Sequence, residues 1–329
     1  MIRSAIRALS PQGRKARLSV LIFHRVLPEP DPLFPGEVDR ERFEAICHWL
    51  RQWFNVLPLD QALKRLSDGS LPDRAAAITF DDGYADNCEI ALPILQRHGL
   101  PATFFVASAF LDGGCMWNDV VIESVRRSTR PEIDTAGLPC ESLGRLGFAT
   151  VADRRQAIDA LVGAVKYMVP VERAEVVAQV ALRCGAAVPT DLMMTTEQLR
   201  RLRAGGMLIG AHTATHPILA RLPADEARHE IRSGRQALEA LLDERIGLFA
   251  YPNGKPGRDY SPETVEIVRG ERFDAAVSTA WGAAAQGTSL LEIPRFTPWD
   301  RARWKFGLRL ARNLAARPSV QATARLAAS

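Results

Sequence analysis

Five short and almost wholly apolar runs recur along the chain: Leu18 to Phe23, Ala75 to Phe80, Ala102 to Val106, Met207 to Ala211 and Ile246 to Ala250. Runs of this length, rich in β-branched and aromatic residues, read as strands buried on both faces, and helix-patterned stretches separate them. Asp39 to Trp53 places Phe43, Ile46, Cys47 and Leu50 at helical spacing, and Asp60 is an N-cap candidate for a helix over Gln61 to Leu66. Asn87 to His98 stops at Gly99, with Pro101 beyond it. Thr195 and Gln198 can form a capping box for a helix to Arg203 that Gly205-Gly206 ends, and Asp225 to Leu242 is amphipathic. Ser261-Pro262 opens another helix, and Asn55 to Leu57, Phe273 to Ser278 and Leu291 to Ile293 are further strand candidates. Strand and helix alternating at short spacing predict parallel β/α architecture.

That rhythm breaks once. Between Leu111 and Met194 the pattern is helical and Ala-rich, over Arg154 to Tyr167 and Glu172 to Arg183, with little strand signal. The expected organisation is a basic arm over 1–17, a barrel in two parts over 18–110 and 195–300, a helical insertion over 111–194, and a basic amphipathic tail over 301–329. A chain of 329 residues is long enough for one large domain with an insertion.

Charge is informative mainly through where it lies. The formal net charge of +4 is too small to argue for nucleic acid, but residues 1–17 and 301–325 carry basic residues and no acid. On the C-terminal helix, Trp304, Leu308, Ala311 and Ala315 make an apolar face beside Arg301, Lys305, Arg309 and Arg312. Such a face fits either docking on the chain's own barrel or peripheral contact with an anionic membrane. Five scattered cysteines with no Cys-x-x-Cys pair read as reduced thiols. With no signal-peptide core and no membrane-length apolar run, the expected location is the cytoplasm, or the inner membrane face if the basic ends bind lipid.

The chemistry gathers at strand ends. Asp81-Asp82-Gly83 ends one apolar run and His212-Thr-Ala-Thr-His216 ends another, where β/α folds collect their sites. Neighbouring strand residues face opposite ways, so the two acids need a turn, which Gly83 permits, to act together. Two imidazoles four apart fall on one face if the segment makes a helical turn. Two His and one carboxylate leave a metal ion with room for water, as in catalytic sites, and the second Asp is then available as a base. His24 ends the first strand.

These motifs resemble those of the polysaccharide deacetylases of the NodB-homology type, carbohydrate esterase family four, over roughly residues 18 to 300. Thr79-Phe80-Asp81-Asp82-Gly83 is similar to that family's first motif and His212-Thr213-Ala214-Thr215-His216 to its second. The resemblance implies a distorted, incomplete (β/α) barrel with Asp81 as catalytic base and Asp82, His212 and His216 as ligands of a divalent metal, zinc first, with cobalt, nickel or iron compatible. It implies hydrolytic removal of N-acetyl groups from amino sugars of a polysaccharide or its precursor, so the expected partner is an N-acetylated glycan or lipid-linked sugar.

Two departures follow. The third motif, Arg-x-Pro-Tyr in the family, is met by Ala250-Tyr251-Pro252-Asn253, which removes the arginine that orients the base and leaves Asn253 to lend its backbone N–H to an oxyanion. Arg295, beside the last strand candidate, is the expected substitute. The family's late Leu-x-His is absent, and His24 is expected to supply the catalytic acid, as in the circularly permuted branch. Tyr84, Tyr251 and Trp117 complete the expected substrate contacts. The alternatives are amide hydrolysis on a lipid-linked amino sugar, such as deformylation, and a glycan-binding pseudo-enzyme, which the loss of arginine at 250 favours.

Overall fold

The computed structural model describes residues 2–316, so Arg317 and Arg325 of the basic tail lie outside the described residues. The chain forms two compact units, one from residues 2–29, 36–111 and 194–316, the other from residues 30–35 and 112–193.

The strands in chain order are β1 (Arg17–Phe23), β2 (Asn55–Val56), β3 (Ala75–Phe80), β4 (Thr103–Val106), β5 (Glu132–Asp134), β6 (Arg145–Gly147), β7 (Leu208–Ala211), β8 (Leu248–Ala250), β9 (Ala275–Val277) and β10 (Ala284–Ala285). In the first unit they form one sheet in the order β10-β1-β3-β4-β7-β8-β9, with β2 pairing the start of β3. Every pair is parallel except β1 with β10. The expected strand over Leu291 to Ile293 is not one. Ile293 bridges Val277 and Phe296 bridges Leu21, each singly, because Pro294 between them has no N–H to continue a ladder. This seam joins β9 to β1 and makes the sheet a distorted, incomplete barrel.

Period-two alternation sorts the side chains. Leu18, Val20, Ala75, Ala77, Phe105, Leu248, Ala250, Ala275, Val277 and Ile293 share one inner cluster with helix Leu59–Asp68. Leu21, Phe23, Ala76, Ile78, Phe80, Phe104, Ile209, Ala211 and Phe249 face the surrounding helices. Many inner residues are alanine, which suits a narrow interior. On the outer face Phe23, Phe80 and Phe104 stack in register across three strands, with centroids 5.2 and 4.7 Å apart. Helix Leu59–Asp68 begins after Pro58, two residues earlier than Asp60 suggests, and Asp60 takes the Gln61 N–H within its first turn. Both halves of the Thr195/Gln198 capping box are present.

The second unit packs helices Trp117–Arg127, Val151–Val165 and Pro170–Cys184 around Val121, Val125, Leu161, Val165, Val177 and Val180. It includes part of the Pro-rich stretch, which Asp31 ties down by accepting two hydrogen bonds from Arg126, at 3.1 and 2.6 Å. It also contains the antiparallel pair β5–β6, whose charged residues gave no strand signal.

Helices Ile2–Leu9 and Arg303–Ala315 lie against each other in the first unit, Ile2 closing over Gly307. The C-terminal helix docks through Phe306, Leu310 and Leu314, all fully buried. This corrects the sequence expectation for docking: Trp304 and Leu308 are 62% and 43% exposed. No helix among the described residues is long and apolar enough to cross a membrane.

Candidate functional site

Asp81 and His212 continue the inward alternation of β3 and β7, one step beyond Thr79 and Gly210. Asp81 stays in the ladder, its N–H donating to the Phe23 carbonyl at 2.9 Å. The backbone then turns left-handed at Asp82 (φ 77°) and Gly83 (φ 95°), which brings the Asp82 carboxylate round to the end where strand alternation alone would send it away. A Cβ on Gly83 would stand 3.0 Å from Val106.

Arg295 meets Asp81 edge to edge. Nη1 and Nη2 lie 2.7 Å from Oδ1 and Oδ2 respectively, while Nε donates to the Ser278 carbonyl at 2.8 Å. Arg295 is 1% exposed and Asp81 3%. Burial alone would raise the Asp81 carboxyl, but the Arg295 charge, with His212, the guanidinium hydrogen bonds and His24, holds it below its ordinary value. The guanidinium missing at Ala250 is therefore present, delivered from the seam.

Asp82, His212 and His216 bring one ligand atom each within 4.8 Å of one another. The His212 Nδ1–H donates to the Ala250 carbonyl at 2.7 Å, which in the neutral ring leaves the Nε2 lone pair facing the site. Nε2 of both histidines stands 3.4 Å from Asp82 Oδ1, a buried oxygen with no hydrogen-bond partner among the described residues. Acceptors aimed at one another need a cation between them, either a proton or a metal ion. Burial pushes His216 down to about 4, so it is neutral at pH 7. Burial also opposes charge on His212, yet the contact with Asp82 and the charges of both aspartates raise it overall. On Asp82 burial acts upward, and the imidazoles of His212, His216 and His24 outweigh it, holding the carboxylate ionised. An anionic oxygen converging with two imidazoles fits a zinc-like divalent cation.

The histidine loop is not the helical turn its spacing allowed. Thr213 (φ 63°) and His216 (φ 55°) are left-handed, and the Thr213 hydroxyl accepts the His216 N–H at 3.0 Å while donating to the His212 carbonyl. Helix Ala224–Leu242 clasps this loop. The Glu230 carboxylate accepts from the N–H groups of Ala214 and Thr215 (3.2 and 2.9 Å) and from the Thr215 hydroxyl (2.8 Å). Gly234 lies so close that a Cβ would stand 2.4 Å from the Thr213 carbonyl carbon. Neither Glu230 nor Gly234 was singled out in the sequence, and nothing local marks them.

The other expected residues divide. His24, exposed at the end of β1, is near enough for its charge to act on both aspartates and His216, and Asn87 holds its carbonyl at 2.9 Å. Asp86 does not cap a helix but binds Arg25 at 2.8 Å, whose guanidinium covers the Tyr84 ring at 4.6 Å. Tyr84 itself is buried. Asn253 is left-handed (φ 58°), and its N–H makes no hydrogen bond among the described residues. Tyr251 is corrected as a substrate contact. Its alternation matches Phe249, so the ring is buried against Tyr260 at 3.9 Å, its hydroxyl donates to the Leu291 carbonyl and its N–H to Val277. Trp117, in the second unit, lies under the Arg173 guanidinium at 4.8 Å.

The polysaccharide deacetylase family model matches residues 68–129 and 172–270, a span that includes both acids and both histidines but neither His24 nor Arg295. The chain is 20% identical over 289 residues to the putative polysaccharide deacetylase YxkH of Bacillus subtilis, covering 87% of this chain and 73% of that one. Its fold is similar to the Streptococcus pyogenes deacetylase PplD (TM-score 0.61, 17% identity, 91% of this chain and 98% of that one). It is also similar to IcaB from Ammonifex degensii (TM-score 0.59, 19% identity, 93% and 99%). Both motifs thus lie within a polysaccharide deacetylase domain, as the family model defines it, and the barrel around them is the one these two structures share.

Proposed function

We propose that this hydrolase removes N-acetyl groups from amino sugars of a polysaccharide or its precursor, with Asp82, His212 and His216 holding a divalent cation. The observation that carries the reading is the convergence of both imidazoles on the partnerless Asp82 oxygen beside an Asp81 that Arg295 keeps ionised. A divalent cation held by these residues polarises an amide carbonyl and acidifies water.

The chain's own groups supply the rest. Asp81, its two oxygens fixed by Arg295, keeps lone pairs to accept the proton of the attacking water. The Asn253 N–H is available to the oxygen that becomes negative as the carbonyl carbon turns tetrahedral. When the C–N bond breaks, His24 gives a proton to the departing amine, and acetate and the free amino sugar leave. The loss of arginine at Ala250, which favoured a silent glycan binder, loses its weight because Arg295 meets the same carboxylate.

Acetate release from N-acetylglucosamine oligomers, measured on metal-depleted and reloaded protein, tests this reading. Release only by the reloaded protein, reduced about 10²–10⁴-fold in His24→Ala, is the expected result. Equal release without metal, or formate from a formylated amino sugar and no acetate, would overturn it.

A further inference from the structure

The C-terminal helix carries two apolar stripes, and the fold uses one. Phe306, Leu310 and Leu314 are spent on the first unit, with Phe306 against Trp49 and Trp53. On the opposite side Trp304 and Leu308, one turn apart, stay exposed among the described residues, with Lys305 and Arg312 beside them. The Lys305 ammonium is 5.5 Å from the Trp304 ring, and Arg312 is exposed.

Residues 301–316 hold five basic side chains and no acid, and residues 2–17, whose helix lies alongside, hold another five and no acid. Two acids close to these helices are already engaged, Asp300 by Arg309 at 2.7 Å and Asp73 by Arg7 at 3.1 Å. An indole and a leucine at the crest of two predominantly cationic helices suit a layer that is apolar within and anionic at its face.

We propose that the paired terminal helices dock this enzyme on an anionic phospholipid bilayer, Trp304 and Leu308 entering the headgroup boundary while Lys305, Arg312 and the exposed Arg3 of helix Ile2–Leu9 meet lipid phosphates. The orientation follows from the burial pattern, since the opposite face of the helix is already committed to the core.

The test is co-sedimentation of the full chain with phosphatidylcholine vesicles, with and without phosphatidylglycerol. Binding about tenfold stronger to the anionic vesicles, weakening as salt rises, is the expected result. The variant Trp304→Ser/Leu308→Ser should lose about tenfold in binding, whereas Lys305→Gln/Arg312→Gln should flatten the salt dependence. All of these residues are exposed, and unchanged acetate release from a soluble oligosaccharide would certify folding. No binding, equal binding to neutral vesicles, or a double variant that binds as wild type would overturn the proposal. So would a self-associated chain that ignores vesicles, since the face would then serve a second copy.

Discussion

Arg295 and Asp81, 214 positions apart in sequence, form a fully buried pair with two parallel 2.7 Å hydrogen bonds. Removing one partner of such a pair costs about 3–5 kcal/mol if the other stays charged. In Arg295→Met the carboxyl is expected to take a proton more readily, because burial, which acts to raise it, loses its largest opposing charge. The acid limb of the pH–rate profile should therefore move to higher pH, with full activity regained only at more alkaline values. Arg295→Lys should recover part of the shift, since an ammonium restores charge without the bidentate fork. A profile whose acid limb stays in place in Arg295→Met would refute the orienting role.

Asp81 and Asp82 should separate by what they lose. Asp81→Asn keeps all three ligand atoms, so bound metal is expected to be unchanged while turnover falls at least about a hundredfold. Asp82→Asn removes the anionic ligand, and both metal affinity and turnover should drop. Metal titration of the two purified variants by calorimetry decides this, and equal metal loss in both would contradict the division of roles.

Gly234 should be intolerant for a reason unrelated to helix propensity. A methyl group there would overlap the Thr213 carbonyl, 2.4 Å from its carbon, and displace the loop that carries both histidines. Gly234→Ala is expected to weaken metal binding about 10–100-fold, as lost support of ligands does elsewhere. Glu230→Gln, which weakens the clasp and leaves the backbone approach intact, should fall between. Gly163→Ala, in a helix of the second unit with nothing within 4 Å, should instead stabilise by about 0.5–1 kcal/mol and leave metal affinity alone.

Tyr251 should matter to stability and not to chemistry. Tyr251→Phe leaves the buried Leu291 carbonyl without its side-chain donor, at a cost of about 1–3 kcal/mol. Denaturant midpoints should shift while kcat and KM stay put. A raised KM would return the ring to the substrate.

The five apolar strands and the acid and histidine motifs were legible because each is written locally, as an apolar run closed by polar side chains. Tyr251 was also legible in principle: it shares the alternation of Phe249, so its position directly after β8 sends it away from the barrel interior. Three things were hidden for physical reasons. The left-handed turns at Asp82, Thr213 and His216 fall on residues that advertise no such conformation. The Glu230 clasp depends on where a distant helix lands. The C-terminal helix has an apolar residue on either side, so spacing alone could not say which stripe the barrel would claim. Arg295 was visible as a cation near a strand end, and only closure of the seam brings it to Asp81.

The seam carries a consequence for the order in which the molecule is made. Strands β1, β3 and β4, with both aspartates, leave the ribosome well before Arg295 does. Until then Asp81 has no guanidinium, and a nascent barrel must keep that carboxylate either hydrated or protonated. Competence is therefore conferred late, in one step, as residues 293–296 slot between β9 and β1. Chains stalled short of residue 290 should accordingly remain protease-sensitive around residues 75–85, and chains released past residue 300 should not.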